Sequence, residues 1–254
     1  MATERPVLTA RWGDLLALNF EVPVEVIDRF AVHGTEPDLF DGRAYISIVG
    51  FRFQDARLFG IAIPGHRHFV EVNLRYYVRR IVGSDVRRGV VFVREIVPRR
   101  AVAATANWLY NENYVARPMQ SAVHLAGSEL SAGDTIEYAW RNPRRFALRR
   151  PRITSFWNRM GCRVASPLQP PRPASLEEFI FEHYWGYVAA RDGTTREYEV
   201  RHEPWRVAAV DDVAWDCDLA ANFDPPWTAY LAGPLASALV ADGSTIQLFR
   251  GRRL

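Results

Sequence analysis

The sequence predicts a mainly β fold carrying three or four short helices. Three observations carry that reading. The segment RHFVEVNLRYYVRR alternates with period two: Val70, Val72, Leu74, Tyr76 and Val78 share one face, and Glu71, Asn73, Arg75, Tyr77 and Arg79 share the other, as in a strand whose faces meet different surroundings. Runs of β-branched and aromatic residues recur along the chain, bounded by tight-turn pairs such as Asp41-Gly42 and Asp192-Gly193. Helix signals are confined to short stretches, and there is no fixed-period repeat.

Taken in order, Leu15 to Phe20 reads as a buried strand, and Pro23 opens a short helix with Val26, Ile27 and Phe30 on one face. LFDGRAYISIVGFRF is a turn followed by a strand, and RRGVVFVREIVPRR is another strand, entered through Gly89. AVAATANWLYNENY is alanine-rich and suits a helix opened by Pro98 at its first turn. SAVHLAGSEL and TIEYAWR read as strands. Asn142-Pro143 breaks the second, and FALRRPRI is expected to return as its hairpin partner. SPLQPPRPAS is a proline-rich connector, and Ser175 with Glu178 forms a capping box that starts a helix through Phe181. YWGYVAARDGTTREYEVRHEPW reads as a hairpin around Asp192-Gly193. VDDVAWDCDLAANF reads as extended, PPWTAYLAG as a turn or short helix, and STIQLFRG as a last strand.

At 254 residues a single domain spanning 1–254 is expected, with the two sides of the connector near 167–174 sharing one core. Hydrophobic residues at 48% and charged residues at 24% exclude disorder, collagen and coiled coil as descriptions of the whole. No apolar run approaches the roughly 18 residues of a membrane helix. The N-terminal MATERPVLTARWGD lacks an apolar signal core. Cys162 and Cys217 belong to no paired motif, which argues against a disulfide framework and a cysteine-built zinc site. A reduced, cytoplasmic protein is the expectation. A net charge of +3 is too mild to imply nucleic acid without a localised patch.

The chain contains no lysine, so every basic side chain apart from histidine is arginine and no internal amine can form a Schiff base. Arg94-Glu95-Ile96-Val97-Pro98-Arg99-Arg100 ends a strand, turns at a proline and starts a helix. Two arginines at a helix N-terminus oppose its dipole. Either a bound anion relieves the conflict, or the two arginines are solvated and lay their stems along the surface.

The ordered motifs ARWGDLLALNFEV, DLFDGRAYISIVGF, FVEVNLRYYV, VVFVREIVPRR, SLEEFIFEHYWGY and RHEPWRV resemble the YqjF-like DUF2071 family over nearly the whole chain. That resemblance implies the acetoacetate decarboxylase-like fold, a cone-like antiparallel β barrel with a central pocket. In the decarboxylases an Arg-Glu pair leads to Pro-Lys-Lys, whose first lysine forms the Schiff base. Here Arg94-Glu95 leads, through a stretch one residue shorter, to Pro98 and then Arg99-Arg100. Glu71 falls at the place of the enzymes' glutamate on the preceding strand, and Arg11 corresponds to an arginine near their N-terminus. Arginine stays protonated and is a poor nucleophile, so the resemblance implies a pocket that has left Schiff-base chemistry. In it, Arg99, with Arg100, Arg94 and Arg11, would hold a carboxylate or a developing oxyanion. Glu71 or Glu95 would act as general acid or base. The face bearing Glu71, Asn73 and Arg75 looks either to water or into the cone, and the resemblance points inside. The alternative is an Arg–Glu network that only closes the barrel.

His202 and Trp205, with His183, Tyr184 and Trp185, either line a wall of the pocket or pack as ordinary core aromatics. His66 and His68 lack a third ligand, so no metal is expected, and nothing in the sequence asks for a cofactor. Arg141 to Arg152 holds six arginines, read as a solvated hairpin face rather than a nucleic-acid site. No nucleophile elbow or phosphate loop is present. The expected partner is a small anionic or carbonyl-bearing molecule, with neither nucleic acid nor membrane and with homo-oligomerisation left open. The expected role is binding in a polar barrel pocket, with lyase, hydratase or isomerase chemistry or none. The alternatives are a non-catalytic ligand sensor and a structural protein that has lost the pocket.

Overall fold

The computed structural model describes residues 5–110, 112–142, 156–190 and 193–254. Its elements begin with β1 (Leu8–Val22), α1 (Val24–Phe30), β2 (Glu36–Pro37), β3 (Ala44–Leu58), β4 (Ile61–Ala62), β5 (Phe69–Val82) and β6 (Asp85–Val97). There follow α2 (Arg100–Tyr110), β7 (Tyr114–Ala116), β8 (Met119–His124), β9 (Thr135–Arg141), β10 (Trp157–Val164) and α3 (Leu176–Phe181). The chain continues with β11 (Trp185–Ala189), β12 (Thr195–His202), β13 (Val207–Asp216), α4 (Leu219–Asn222), α5 (Trp227–Leu231), β14 (Ser237–Ala241), β15 (Thr245–Leu248) and β16 (Arg252–Arg253).

Long strands set the architecture. Neighbours run in the order β3-β5-β6-β11-β12-β15-β1, and β1 pairs back onto β3, so this path closes on itself. β1 serves two sheets. Leu8 to Arg11 pair with β15 inside the ring, whereas Leu15 to Asn19 pair with β14 and lead to the arm β14-β13-β10-β9-β8. The ring is antiparallel except where β11 runs parallel to β6, Trp185 opposite Gly89. Glycine is required there: a Cβ at 89 would lie 2.4 Å from the Trp185 carbonyl oxygen.

Alternation divides the buried side chains between two cores. Leu16, Leu18, Ile46, Ile48, Val72 and Leu74 face the arm, packing with Tyr138, Trp140 and Met160. Leu15, Ala17, Val49, Phe51, Phe53 and Tyr77 face the inside of the ring with Phe179, Phe181 and Trp205. Each fully buried aliphatic side chain contributes roughly 1.5–3 kcal/mol, which holds the central strands between two layers. The polar face of β5 is thereby enclosed, with Glu71, Asn73 and Arg75 all buried.

Several sequence expectations change in detail. Asp41 and Gly42 both take positive φ, 48° and 75°, and close the turn that bridges Phe40 to Arg43, as the Asp-Gly signal requires. Ser175 caps α3 by accepting from the Glu178 amide at 3.3 Å. The helix expected from Pro98 begins at Arg100, with the Arg99 carbonyl accepting from the Ala103 amide, and it stops at Tyr110, so that Tyr114–Ala116 can pair with β6. The extended reading of VDDVAWDCDLAANF holds for β13 only; Asp218 caps the short α4. β14 was not foreseen. FALRRPRI, the arginine-rich stretch beyond Asn142 and Asp192 lie outside the described residues, and the strand that pairs with β9 is β10. Gln169, in the proline-rich connector, bridges to Val207. Among the described residues no helix is long and apolar enough to cross a membrane.

Candidate functional site

The ring encloses a cavity of about 310 Å³. The inward face of β5 presents Phe69, Glu71, Asn73 and Arg75 in succession. Opposite them on β3 stand Phe53, Phe51 and Val49, paired with Phe69, Glu71 and Asn73. β6 adds Phe92 and Glu95, and β12 adds Tyr198, Val200 and His202 in alternation. α2 lays one face against the cavity through Ala101, Val102, Thr105, Ala106 and Leu109, a spacing that keeps these residues on one side of a helix. The chain leaving α2 then brings in Glu112 and Tyr114, and the chain leaving α3 brings in His183.

Three carboxyl groups are buried in this wall: Glu71, Glu95 and Glu112. Asn73 Nδ2 donates to Glu71 Oε1 at 3.0 Å, and the Tyr114 hydroxyl donates to Oε2 at 3.2 Å. The Tyr198 hydroxyl donates to Glu112 Oε1 at 2.9 Å. Gly186 makes room for that tyrosine, since a Cβ there would lie 2.1 Å from the Tyr198 ring. Glu95 Oε2 and Glu112 Oε2 are buried without a hydrogen-bond partner. Among the described residues none of the three forms an ion pair with arginine.

Burial without a counter-charge disfavours the ionised form. It pushes Glu71 up to about 7, against the pull of its bonds from Asn73 and Tyr114. It pushes Glu112 up to about 8, with the Tyr198 bond lowering it and the Glu71 charge raising it. Glu95 is held well above the usual carboxylate range by burial and then by the charges of Glu112 and Glu71. The three groups titrate as one set.

The cations are elsewhere or bound. Arg75 donates to the Ile180 carbonyl at 2.8 Å, lies over the Tyr77 ring, and keeps a buried Nε without a partner. His183 is held neutral: burial lowers it to about 4, the charges of Arg88 and Arg75 add to that, and Asp38, 3.7 Å from Nε2, opposes it.

The residues singled out in the sequence divide accordingly. Glu71, Glu95, Arg75, His202 and Trp205 line the cavity. Arg99 and Arg100 do not, contrary to expectation. β6 ends at Val97, Pro98 cannot extend the ladder, and both arginines emerge exposed at the start of α2. Arg94 alternates with Glu95, so it points out of the ring and pairs with Asp224 at 2.9 Å. Arg11 is exposed, its neighbour Trp12 taking the inward position. Tyr184 lines a shallow surface depression, its hydroxyl bonds to Glu182, and its ring stacks on the cavity-lining His202 at 4.7 Å. Glu112, Tyr114 and Tyr198 were missed. Alternation along EYEVRH could have placed Tyr198 with His202, but Glu112 follows a helix in irregular chain and carries no periodic signal.

The family model of DUF2071, an uncharacterized conserved protein, matches residues 9–243. The chain belongs to the DUF2071 family. This DUF2071 chain is 24% identical over 200 residues to the uncharacterized protein YqjF of Bacillus subtilis, covering 78% of this chain and 74% of that one. Its fold is shared with an acetoacetate decarboxylase-like enzyme of Sphingomonas wittichii, at TM-score 0.63 and 11% identity over 98% of this chain and 93% of that one. The enduracididine biosynthesis enzyme MppR, solved with pyruvate, superposes at TM-score 0.63 and 13% identity over 100% and 91% of the two chains. The acetoacetate decarboxylase of Legionella pneumophila does so at 0.57 and 9% over 100% and 90%. At such identities the likeness establishes the acetoacetate decarboxylase-like fold, and its structural neighbours are enzymes of that type.

Proposed function

We propose that this DUF2071 protein binds a small carbonyl-bearing molecule in the ring cavity and moves protons on it through carboxyl groups, without a Schiff base. The observation that carries the reading is the set of three buried carboxyls, raised in pKa and among the described residues unpaired with arginine, on the wall of a cavity whose lining is mostly apolar and aromatic, with Asn73, Arg75, His183 and His202 among its polar side chains. Such a set holds acid and base forms together near neutral pH. Glu71 in its carboxylate form takes a proton from the carbon beside the carbonyl. The C–H electron pair becomes the new C=C bond, and the carbonyl oxygen takes the proton of Glu112 in its acid form. The product is the enol, with Glu71 protonated and Glu112 ionised; the reverse step restores both. In this reading Arg75, which lines the same cavity, receives a carboxylate on the same molecule. Support also comes from the fold neighbour MppR, solved with pyruvate, a small carbonyl compound.

The test is deuterium incorporation from D2O beside the carbonyl of 1,3-diketones and 2-oxo acids, followed by proton NMR. The wild-type protein is expected to accelerate exchange of at least one bound compound, and Glu71→Gln to abolish it. Binding without exchange would reduce the cavity to a binding site, and equal exchange in Glu71→Gln would remove the carboxyls from the chemistry.

A further inference from the structure

The cavity has two unlike walls. Glu71, Asn73, Arg75, Glu95, Glu112 and Tyr114 stand on β5, β6, the chain between α2 and β7, and the start of β7. The adjoining side, from β1, β3 and the chain after β12, carries rings: Trp12, Phe51, Phe53 and Trp205, with Phe69 at the start of β5 beside Phe53. These rings form one connected set. Trp12 meets Phe51 at 5.1 Å, Phe53 at 5.7 Å and Trp205 at 6.1 Å, and Phe53 stacks on Phe69 at 4.4 Å with 15° between planes. His202 in turn stacks on Trp205 at 4.2 Å. Such mutual contacts fix each ring before any ligand arrives, which lowers the ordering cost of binding. Yet the wall is not sealed as a core would be: Trp12 and Phe69 are only partly covered, though both lie inside the ring.

Polarity is also graded along the strands. On β5 the order from one end is Phe69, Glu71, Asn73, Arg75; on β3 it is Phe53, Phe51, Val49, with the aromatic pairs at the same level as Phe69 and Glu71. A ligand whose carbonyl meets the carboxyls therefore extends toward rings. A cavity of 310 Å³ holds about ten non-hydrogen atoms or more, taking about 30 Å³ each as for water. A three- or four-carbon oxo acid would leave the ring wall uncovered.

We infer that the ligand is an aryl-substituted carbonyl compound, its aromatic ring against Trp12, Phe53, Phe69 and Trp205 and its oxo group at Glu71 and Glu112. The inference rests on the carbonyl reading above and names the rest of the molecule. Ring-on-ring contacts contribute beyond burial alone, so a flat ring is favoured over a puckered one of the same size.

The experiment uses the full chain and three probes: 4-phenyl-2-butanone, 4-cyclohexyl-2-butanone and butylbenzene, with binding read by tryptophan fluorescence and thermal shift. The phenyl ketone is expected to bind about three- to tenfold tighter than the cyclohexyl ketone. That ratio should fall toward one in Trp12→Leu and, as a second variant at a partly covered position, in Phe69→Leu. Glu71→Gln should weaken both ketones alike and preserve the ratio. Equal binding of the two ketones would overturn the aromatic inference and leave the carbonyl reading standing. Butylbenzene binding as tightly as the phenyl ketone would overturn the carbonyl reading instead. Absence of binding by the phenyl ketone would overturn the inference.

Discussion

Two sets of buried glutamates in this chain meet opposite fates. Glu197 has a fully buried side chain, but Arg80, Arg87 and Arg252 reach it at 3.1, 2.7 and 2.7 Å. Tyr187 adds a hydrogen bond at 3.3 Å, and Arg87 and Arg252 lie over the Trp185 ring. Burial alone would raise its pKa; the bond from Arg252 and the charges of Arg87, Arg252 and Arg80 bring it below the ordinary value. Glu71, Glu95 and Glu112, on the cavity wall, have tyrosines and an amide where Glu197 has guanidinium groups, and their pKa values go up. A chain with 32 arginines had counter-ions to spend on all four. Those at Glu197 join β5, β6, β12 and β16, so their work is to tie strands together. Among the described residues the cavity set has no such neutralising partners, which leaves its carboxyls with raised pKa values.

The contrast is broken most severely at Glu197. Glu197→Gln strands three guanidinium groups around a neutral amide. Removing one partner of a buried ion pair costs several kcal/mol, but the arginine ends here reach water, so a loss of about 2–3 kcal/mol is expected. Thermal unfolding should then fall by roughly 5–10 °C, whereas Glu71→Gln, which removes a costly charge, should not lower it at pH 8.

Gly186→Ala is expected to rank next. Its Cβ would meet the Tyr198 ring at 2.1 Å, forcing the ring from Glu112 and costing about 1–3 kcal/mol. Loss of the Tyr198 bond should raise the Glu112 pKa further, visible as an upward shift in the alkaline limb of any exchange activity.

The pH dependence of stability sharpens the same comparison. Between the ordinary glutamate value of 4.5 and folded values of about 7 for Glu71 and about 8 for Glu112, the unfolded chain has released protons that the folded chain keeps. Stability contributed by these groups is therefore full below about 4.5 and is lost as pH rises through that window. His183 works in the opposite direction: between about 4 and 6.5 the unfolded chain holds a proton the folded one lacks, so its contribution is lost on acidification. Urea denaturation of wild type against Glu71→Gln and Glu112→Gln across pH 5 to 9 should show the alkaline decline shrink in each variant.

The smallest effect is expected at Arg99. Since its side chain is exposed and does not line the cavity, Arg99→Ala should change ligand binding by less than about twofold and stability by less than about 0.5 kcal/mol. Loss of binding in that variant would return the arginine pair to the site.

The strand pattern was legible because alternation is a local property. Val70 to Arg79 declared two faces, and Glu71, Asn73 and Arg75 fell together on one of them. Glu95 was named only through the Arg94-Glu95 pair of the resemblance, and its pairing with Asn73 is what the structure adds. Which face closes around a cavity is decided by β1 pairing with β3, far from either residue in sequence, and only the resemblance supplied it. Arg99 was set in the pocket through its match to the first lysine of Pro-Lys-Lys; here the strand stops at Val97, and the residues after Pro98 emerge at the exposed start of α2. Glu112 was invisible because what buries it is Tyr198, brought close through Gly186, and no spacing in the sequence encodes that meeting.

The central claim is that the cavity carboxyls remain protonated near neutral pH while Glu197 does not. Infrared difference titration of the full chain reads this directly, through the carbonyl stretch of un-ionised carboxylic acids. A protonated-carboxyl band is expected to persist at pH 6, to fade between about pH 7 and 8, and to weaken in Glu71→Gln and Glu112→Gln but not in Glu197→Gln. Complete loss of the band by pH 5 in the wild-type protein, or a band that only Glu197→Gln removes, would contradict the account.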